Sequence, residues 1–239
     1  MIIAVAAIFF SGCAKDPLAL FSVDKDVVYV GDEVTFTNAS VDADTYKWDF
    51  GDGKSSTEFS PKHTYEAAGT YTVCLHANTK KNASVATLTI TVKKHNEFVV
   101  NGVHYPINGL QVIYENSTNG GKNYYLYFYN KSELVYNSAD QDFTGRGNML
   151  EVDIYANALE SGTYRYNPDY TPVLGTCDWI EAYTNYNFNT GEGTLTAADS
   201  GTLIVTKNGN DYTFEIEYTN YNADKVTGYM ECTLTVTFK

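Results

Sequence analysis

The sequence predicts an all-β chain of two domains, a small sandwich followed by a second antiparallel β-sandwich or barrel. Three observations carry this prediction. Apolar and polar residues alternate in short bursts along most of the chain, with turn residues between the bursts. Tyr (21) and Thr are abundant and Pro (5) is scarce, the composition of half-buried pleated surfaces. No long stretch places apolar residues at the spacing of a helix. The length suits two domains of ordinary size, each burying its own core.

The first element is an apolar run from Ile2 to Phe10 that ends at Ser11, Gly12 and Cys13. As a helix it would reach only about 15–20 Å, short of the roughly 30 Å of bilayer hydrocarbon. It has the form of an export signal followed by small residues, and a buried N-terminal strand is the competing reading. Phe10-Ser11-Gly12-Cys13 resembles a bacterial lipobox. That resemblance implies that residues 1–13 are signal peptide and lipobox, and that Cys13 is acylated and becomes the first mature residue. Cys13-Ala14-Lys15-Asp16 partly resembles the Lys-acidic export tags of surface lipoproteins in gut bacteria. The expected location is the outer membrane, by lipid anchor, at the cell surface, with the leaflet left open.

The formal net charge of −13 excludes nucleic acid and anionic lipid surfaces as partners, because both repel it. Membrane attachment then falls to the lipid, at roughly 0.8 kcal/mol per buried methylene.

Residues 17–93 hold the first domain. Val34 and Phe36 share one strand face, as do Tyr46, Trp48 and Phe50. Tyr71, Val73 and Leu75 form a third inward row, and Ala86, Leu88, Ile90 and Val92 a fourth, with Thr87, Thr89 and Thr91 opposite. Three motifs follow in order, Trp48-Asp49-Phe50-Gly51-Asp52-Gly53, Pro61-Lys62-His63-Thr64-Tyr65 and Gly69-Thr70-Tyr71-Thr72-Val73. Together they resemble the signature of polycystic-kidney-disease (PKD) domains. The resemblance covers about a third of the chain and implies a seven-stranded immunoglobulin-like sandwich with Trp48 in its core. It further implies a spacer, or a module for binding proteins and carbohydrates, without catalytic residues. Asp49 and Asp52 do not fit the Asp-x-Asp-x-Asp-Gly spacing of a calcium loop and read as turn-capping carboxylates. His63 has no second His or Cys at ligand spacing and reads as a strand-edge residue.

Lys93 to Glu97 is a short polar joint, and residues 97–239 form the second domain. Phe98 to Val100 and Val103 to Ile107 flank Asn101-Gly102, a hairpin signal. Tyr124 to Tyr129, Met149 to Tyr155 and Gly162 to Tyr166 follow, with Asp178 to Tyr183 less clearly patterned. Thr202 to Thr206 leads through Asn208-Gly209 to Tyr212 to Tyr218, and Tyr229 to Phe238 closes the chain. Tyr212, Phe214, Ile216 and Tyr218 face one way, and Cys232, Leu234, Val236 and Phe238 repeat the pattern. One-sided alternation of this kind favours antiparallel pairing. The domain resembles, in general texture, the C-terminal β domains of poorly characterised surface lipoproteins of Gram-negative gut bacteria. That likeness transfers no functional residue.

Candidate chemistry is sparse. There is no Gly-x-Ser-x-Gly elbow, His-Glu-x-x-His or phosphate loop, so neither a catalytic set, a cofactor nor a metal is expected. Glu151 with Asp153, and Glu215 with Glu217, sit at i, i+2 on strand faces. The resulting spacing of roughly 6.5–7 Å is near that of glycosidase carboxylates, and it is also what any solvated strand displays. Cys74 reads as a free or weakly exposed thiol on an outward strand face. Cys177 and Cys232 form a possible disulfide after export, with a buried free thiol at Cys232 as the alternative. Tyr125, Tyr127 and Tyr129 project from one strand face as a candidate aromatic platform for sugars, or else fill a second layer of the fold.

These features point to a non-catalytic surface lipoprotein, a PKD spacer holding a C-terminal domain that binds glycan or extracellular protein ligands. A structural cell-envelope or pilus-associated component is a second reading. A glycosidase or its accessory subunit is a third.

Overall fold

The computed structural model describes residues 16–117, 120–169 and 173–234, together with the backbone of residues 2–4. Phe10 to Cys13, the expected lipobox, and Val236 and Phe238 of the last expected strand lie outside the described residues. The chain is all-β and divides into two compact units, Met1–Lys94 and His95–Lys239.

Unit one contains β1 (Ile2–Ala4), β2 (Phe21–Val23), β3 (Val27–Tyr29), β4 (Glu33–Asn38) and β5 (Thr45–Asp49). After these come β6 (Ser55–Ser56), β7 (Lys62–Thr64), β8 (Gly69–Asn78) and β9 (Ala83–Lys93). They form two sheets, β1-β2-β4-β7 and β3-β9-β8-β5-β6. The alternation explains the sandwich. Val34 and Phe36 from one sheet, and Trp48, Val73, Leu75, Ala86 and Ile90 from the other, are buried in one core, while Thr87 and Thr89 face outward. Ile2–Ala4 pairs antiparallel with β2 as an added edge strand. From residue 16 to residue 94 there are eight strands against the seven implied by the resemblance, and the two-residue β6 supplies the excess.

Unit two contains β10 (Glu97–Val100), β11 (Val103–Pro106), β12 (Gly109–Asn116), β13 (Lys122–Tyr129), β14 (Leu134–Asn137) and β15 (Asp142–Ala156). Next are β16 (Gly162–Tyr166), β17 (Thr176–Asn187), β18 (Glu192–Ala197), β19 (Ser200–Asn208), β20 (Asp211–Thr219) and β21 (Lys225–Thr233). All twelve belong to one sheet in the order β11-β10-β21-β20-β19-β16-β17-β15-β13-β12, with β14 beside β15 and β18 beside β17. The sheet folds over on itself. Phe128 of β13 meets Phe214 of β20 at 5.2 Å between ring centroids, and both belong to one core with Leu126, Leu150, Val152, Ile180, Leu203 and Val226. A single continuous sheet thus makes the sandwich.

One hairpin follows the sequence reading, and two local features differ from it. Asn101 and Gly102 both adopt positive φ, 49° and 81°, and form the expected two-residue hairpin loop. In the later hairpin Asn208 pairs with Asp211, so the loop is Gly209-Asn210, with the glycine (φ 63°) in its first position. Pairing is also not wholly antiparallel, because Arg165 and Tyr166 of β16 run parallel to Thr176 and Cys177 of β17.

Cys177 and Cys232 are free thiols, so of the two readings the possible disulfide is set aside. Three strands, β20, β19 and β16, separate their own strands in the sheet. The Cys177 thiol is buried against the Tyr164 carbonyl at 3.6 Å, while Cys232 packs on the rim of the core.

Candidate functional site

The first unit commits its signature residues to architecture. Trp48 is fully buried between Phe21 and Phe36, and its Nε1–H donates to the Glu58 carbonyl at 2.9 Å. Asp49 accepts the Gly51 N–H at 2.9 Å and Asp52 accepts the Lys54 N–H at 3.0 Å, so both carboxylates cap the turn. Gly51 sits at φ 82°, and a Cβ there would lie 2.7 Å from the Thr72 carbonyl oxygen. Only glycine permits that approach. His63, on β7 at the end of its sheet, stacks on Phe50 at 4.0 Å and meets the Asp52 carboxylate through Nε2 at 2.7 Å. Burial opposes ionisation of Asp52, but the His63 and Lys54 bonds hold its carboxyl below the usual carboxylate range.

The second unit places a different grouping on the outer face of β13, β15 and β17. Strand register lines up Tyr125, Asp153 and Trp179 in one row, and Tyr127, Glu151 and Glu181 in the next. Tyr129, Met149 and Tyr183 make the third row. The opposite faces of the same strands carry the core residues Leu126, Val152 and Ile180. A register shift between Asp153 and Ile154 makes Asp178 an extra residue in β17. Cys177 and Ile180 therefore both stay buried, while Asp178 and Trp179 are added to the outer side.

One end of this face is closed. β14 and the start of β15 fold back, burying Leu134, Phe143, Tyr129 and Met149 in a small second core. Phe143 lies 5.0 Å from Tyr129, 5.1 Å from Tyr136 and 5.3 Å from Tyr127. Gly145 enables the fold-back, since at φ 112° a Cβ would lie 2.5 Å from the Glu133 carbonyl oxygen.

The three tyrosines of the expected platform are thereby separated. Tyr129 is only 7% exposed and belongs to the second core, so packing removes it from any ligand surface. Tyr127 is half-buried, with its ring on Phe143 and its hydroxyl bonded to Glu151. Tyr125 keeps a partly exposed ring and reaches Glu115 at 3.5 Å. Trp179, 37% exposed, joins it at the open end of the face.

The carboxylates of this face are unusual. Glu151 and Glu181 stand directly opposite each other on neighbouring strands, an unfavourable like-charge pair. Tyr183 Oη lies 2.7 Å from Glu181 and 3.0 Å from Glu151. Burial raises the Glu151 carboxyl; the Tyr183 bond lowers it and the Glu181 charge raises it further. Asp153 is pushed up to about 8, by burial first and then by Glu151, Asp178 and Glu181. One of its carboxyl oxygens, Oδ1, is sealed from solvent without a hydrogen-bond partner. Burial also raises Asp178. The sequence reading singled out Glu151 with Asp153, but Asp178, Trp179, Glu181 and Tyr183 join them only through the fold. Glu215 and Glu217, by contrast, are exposed, and Glu217 pairs with Lys225 at 3.1 Å. An open groove of about 570 Å³ beside Arg165, Tyr166 and Glu217 brings together no comparable set.

Comparisons with known proteins concern mainly the first unit. A 50-residue stretch is 48% identical to collagenase ColQ1 of Bacillus cereus (strain Q1), and the match spans 20% of this chain but 5% of the collagenase. The PKD1 domain of Vibrio anguillarum Epp is 35% identical, over 34% of this chain and 98% of that domain, with a TM-score of 0.29. A solved carbohydrate-binding module of the β-sandwich superfamily overlaps 93% of each chain at 14% identity, with a TM-score of 0.35, too loosely to transfer a site. The model of the PKD domain family matches residues 14–93. With the Trp48–Gly53 turn closed by its own carboxylates and Trp48 at the centre of the sandwich, residues 14–93 of this chain are a PKD domain.

Proposed function

We propose that this chain is a non-catalytic lipoprotein of the outer membrane, anchored through Cys13, whose PKD domain acts as a spacer for a glycan-binding second domain. The observation that carries the reading is the outer face of β13, β15 and β17. There the partly exposed rings of Tyr125 and Trp179 flank polar groups from Glu151, Asp153 and Tyr127. Aromatic rings stack on the apolar faces of sugars, and carboxyl groups bond their hydroxyls. Cleavage before Cys13 would remove the Ile2–Ala4 strand and leave β2 at the sheet edge, with the core strands intact.

A second reading has a specific observation behind it. Glu151 and Glu181 bond the same phenol oxygen, which holds their nearest oxygens within about 6 Å, the range of retaining glycosidase carboxylates. Asp153 carries the raised carboxyl that a general acid needs. One experiment separates the two. The purified chain is incubated with a polysaccharide panel while binding and new reducing ends are both measured. Binding without cleavage, lost in Trp179→Ala, supports the spacer and binding reading. Release of reducing ends replaces it with the glycosidase, and inertness toward every glycan removes both.

A further inference from the structure

Among the described residues, no cation answers the carboxyl groups of this face. Glu151, Asp153, Asp178 and Glu181 form no ion pair with Lys, Arg or His among the described residues. Glu181 is only 4% exposed, and its hydrogen bond comes from Tyr183, which Glu151 shares. Asp153 Oδ1 has no partner at all. A buried carboxylate left this way destabilises the fold unless a proton or an external cation compensates it. Proton counting makes the deficit concrete. The Tyr183 hydroxyl has one hydrogen, so its two short contacts are both hydrogen bonds only when one of the glutamates is itself protonated.

The open end of the face adds the second component. Tyr125 and Trp179 stand on either side of Asp153 in one row, partly exposed, and aromatic faces attract cations as well as sugar rings. We infer that the ligand of this site is a glycan bearing free, protonated amino groups, with its ammonium seated among Asp153, Glu151 and Glu181 and its ring against Trp179 or Tyr125. This inference rests on the glycan-binding reading and narrows it. An ammonium would take the place of the protons that the cluster otherwise retains. Binding would then release protons, and affinity would rise with pH as long as the sugar amine stays charged. The groups facing Asp153 that set this behaviour are Tyr125 and Tyr127 on β13, Glu151 on β15, and Asp178, Glu181 and Tyr183 on β17. None of them supplies a positive charge.

The test compares oligomers of glucosamine with N-acetylglucosamine oligomers of equal length, by calorimetry on the intact chain in buffers of differing ionisation enthalpy. The expected result is at least about tenfold tighter binding of the free amine, weakened by salt and accompanied by proton release. Asp153→Asn and Glu151→Gln should each erase the preference, with thermal melts confirming that both variants fold. Equal binding of the two oligomers overturns the inference and leaves glycan binding standing. Binding of a lysine-rich peptide in place of either oligomer, with no glycan bound, overturns both.

Discussion

Tyr183 holds one phenol oxygen between two carboxyl groups, 2.7 Å from Glu181 and 3.0 Å from Glu151. Its ring packs at the edge of the second core, 5.4 Å from Phe188, so the hydroxyl is positioned by apolar packing. Burial and the two neighbouring acids keep the phenol protonated far beyond its ordinary range. Replacing Tyr183 with Phe keeps the ring and removes the donor. That change should destabilise the second domain by about 1–3 kcal/mol, the usual result of stripping a partner from a buried polar group. Denaturant unfolding at neutral pH measures it, and a loss below about 0.5 kcal/mol would mean that water already solvates both glutamates.

Asp153 gives the second domain a distinctive pH dependence. Its folded carboxyl is raised to about 8, so the folded state binds more protons than the unfolded one above the ordinary carboxylate range. The stabilisation is complete below the unfolded value and is lost as pH rises toward about 8. Asp52 in the PKD domain acts in the opposite sense, because its folded carboxyl is lowered. Its contribution is present above the ordinary carboxylate range and disappears in acid. Raising the pH from just above the ordinary carboxylate range to about 8 should therefore lower the melting point of the second domain while leaving the first nearly unchanged. Asp153→Asn should flatten that slope. Parallel pH profiles for the two domains, or an unchanged slope in the variant, would remove Asp153 as the cause.

These two carboxyls also mark how far the sequence could be read. The Asp49–Gly53 turn was legible because its bonds are local, carboxylate to backbone two residues on. The alternating rows of β8, β9 and β20 were legible because a strand buried on one face must repeat every second residue. Asp178 to Tyr183 resisted that reading for a physical reason. The extra residue at Asp178 breaks the alternation, so Asp178 and Trp179 no longer fall on opposite faces of a regular strand. The Glu151–Glu181 pairing needs cross-strand register, which no single strand encodes. The small core around Phe143 was missed because it joins residues far apart in the chain, Leu134 from the short β14, Phe143 from the start of the long β15 and Phe188 from just beyond β17. The joining of every second-domain strand into one sheet depends on the β16–β17 parallel pairing, made by two residue pairs only.

The PKD domain should fold by itself, since its core is complete within Met1–Lys94. A Pro17–Lys94 fragment is expected to unfold in one cooperative transition. Trp48→Ala in that fragment removes a fully buried ring and its bond to Glu58, for a loss of about 3–5 kcal/mol. Gly51→Ala should be destabilising too, because the new Cβ would meet the Thr72 carbonyl at 2.7 Å. Chemical denaturation of the three fragments decides this, and a Trp48→Ala loss under about 1 kcal/mol would contradict the packing.

Anchoring is testable at a single atom. If Cys13 carries the acyl chains, Cys13→Ala should leave the protein unacylated and release it from the detergent-extracted membrane fraction. Unchanged partitioning of the variant would refute the lipid assignment.

The last prediction divides the aromatic residues of the binding face by their burial. Tyr127 bonds Glu151 and rests on Phe143, and burial drives its hydroxyl far above the ordinary range. Tyr127→Ala should therefore cost about 2–4 kcal/mol of stability through poorer packing and an abandoned carboxyl partner, whatever it does to binding. Tyr125 and Trp179 stand at the open end, the one partly and the other 37% exposed. Tyr125→Ala and Trp179→Ala should each change stability by less than about 1 kcal/mol. They should weaken glycan binding by roughly tenfold or more, since truncating an aromatic anchor at the centre of a binding site commonly costs more than about 1 kcal/mol. Paired melting and binding measurements on the three variants give the answer. If Trp179→Ala binds as tightly as the parent, the open end of this face is not where the sugar sits.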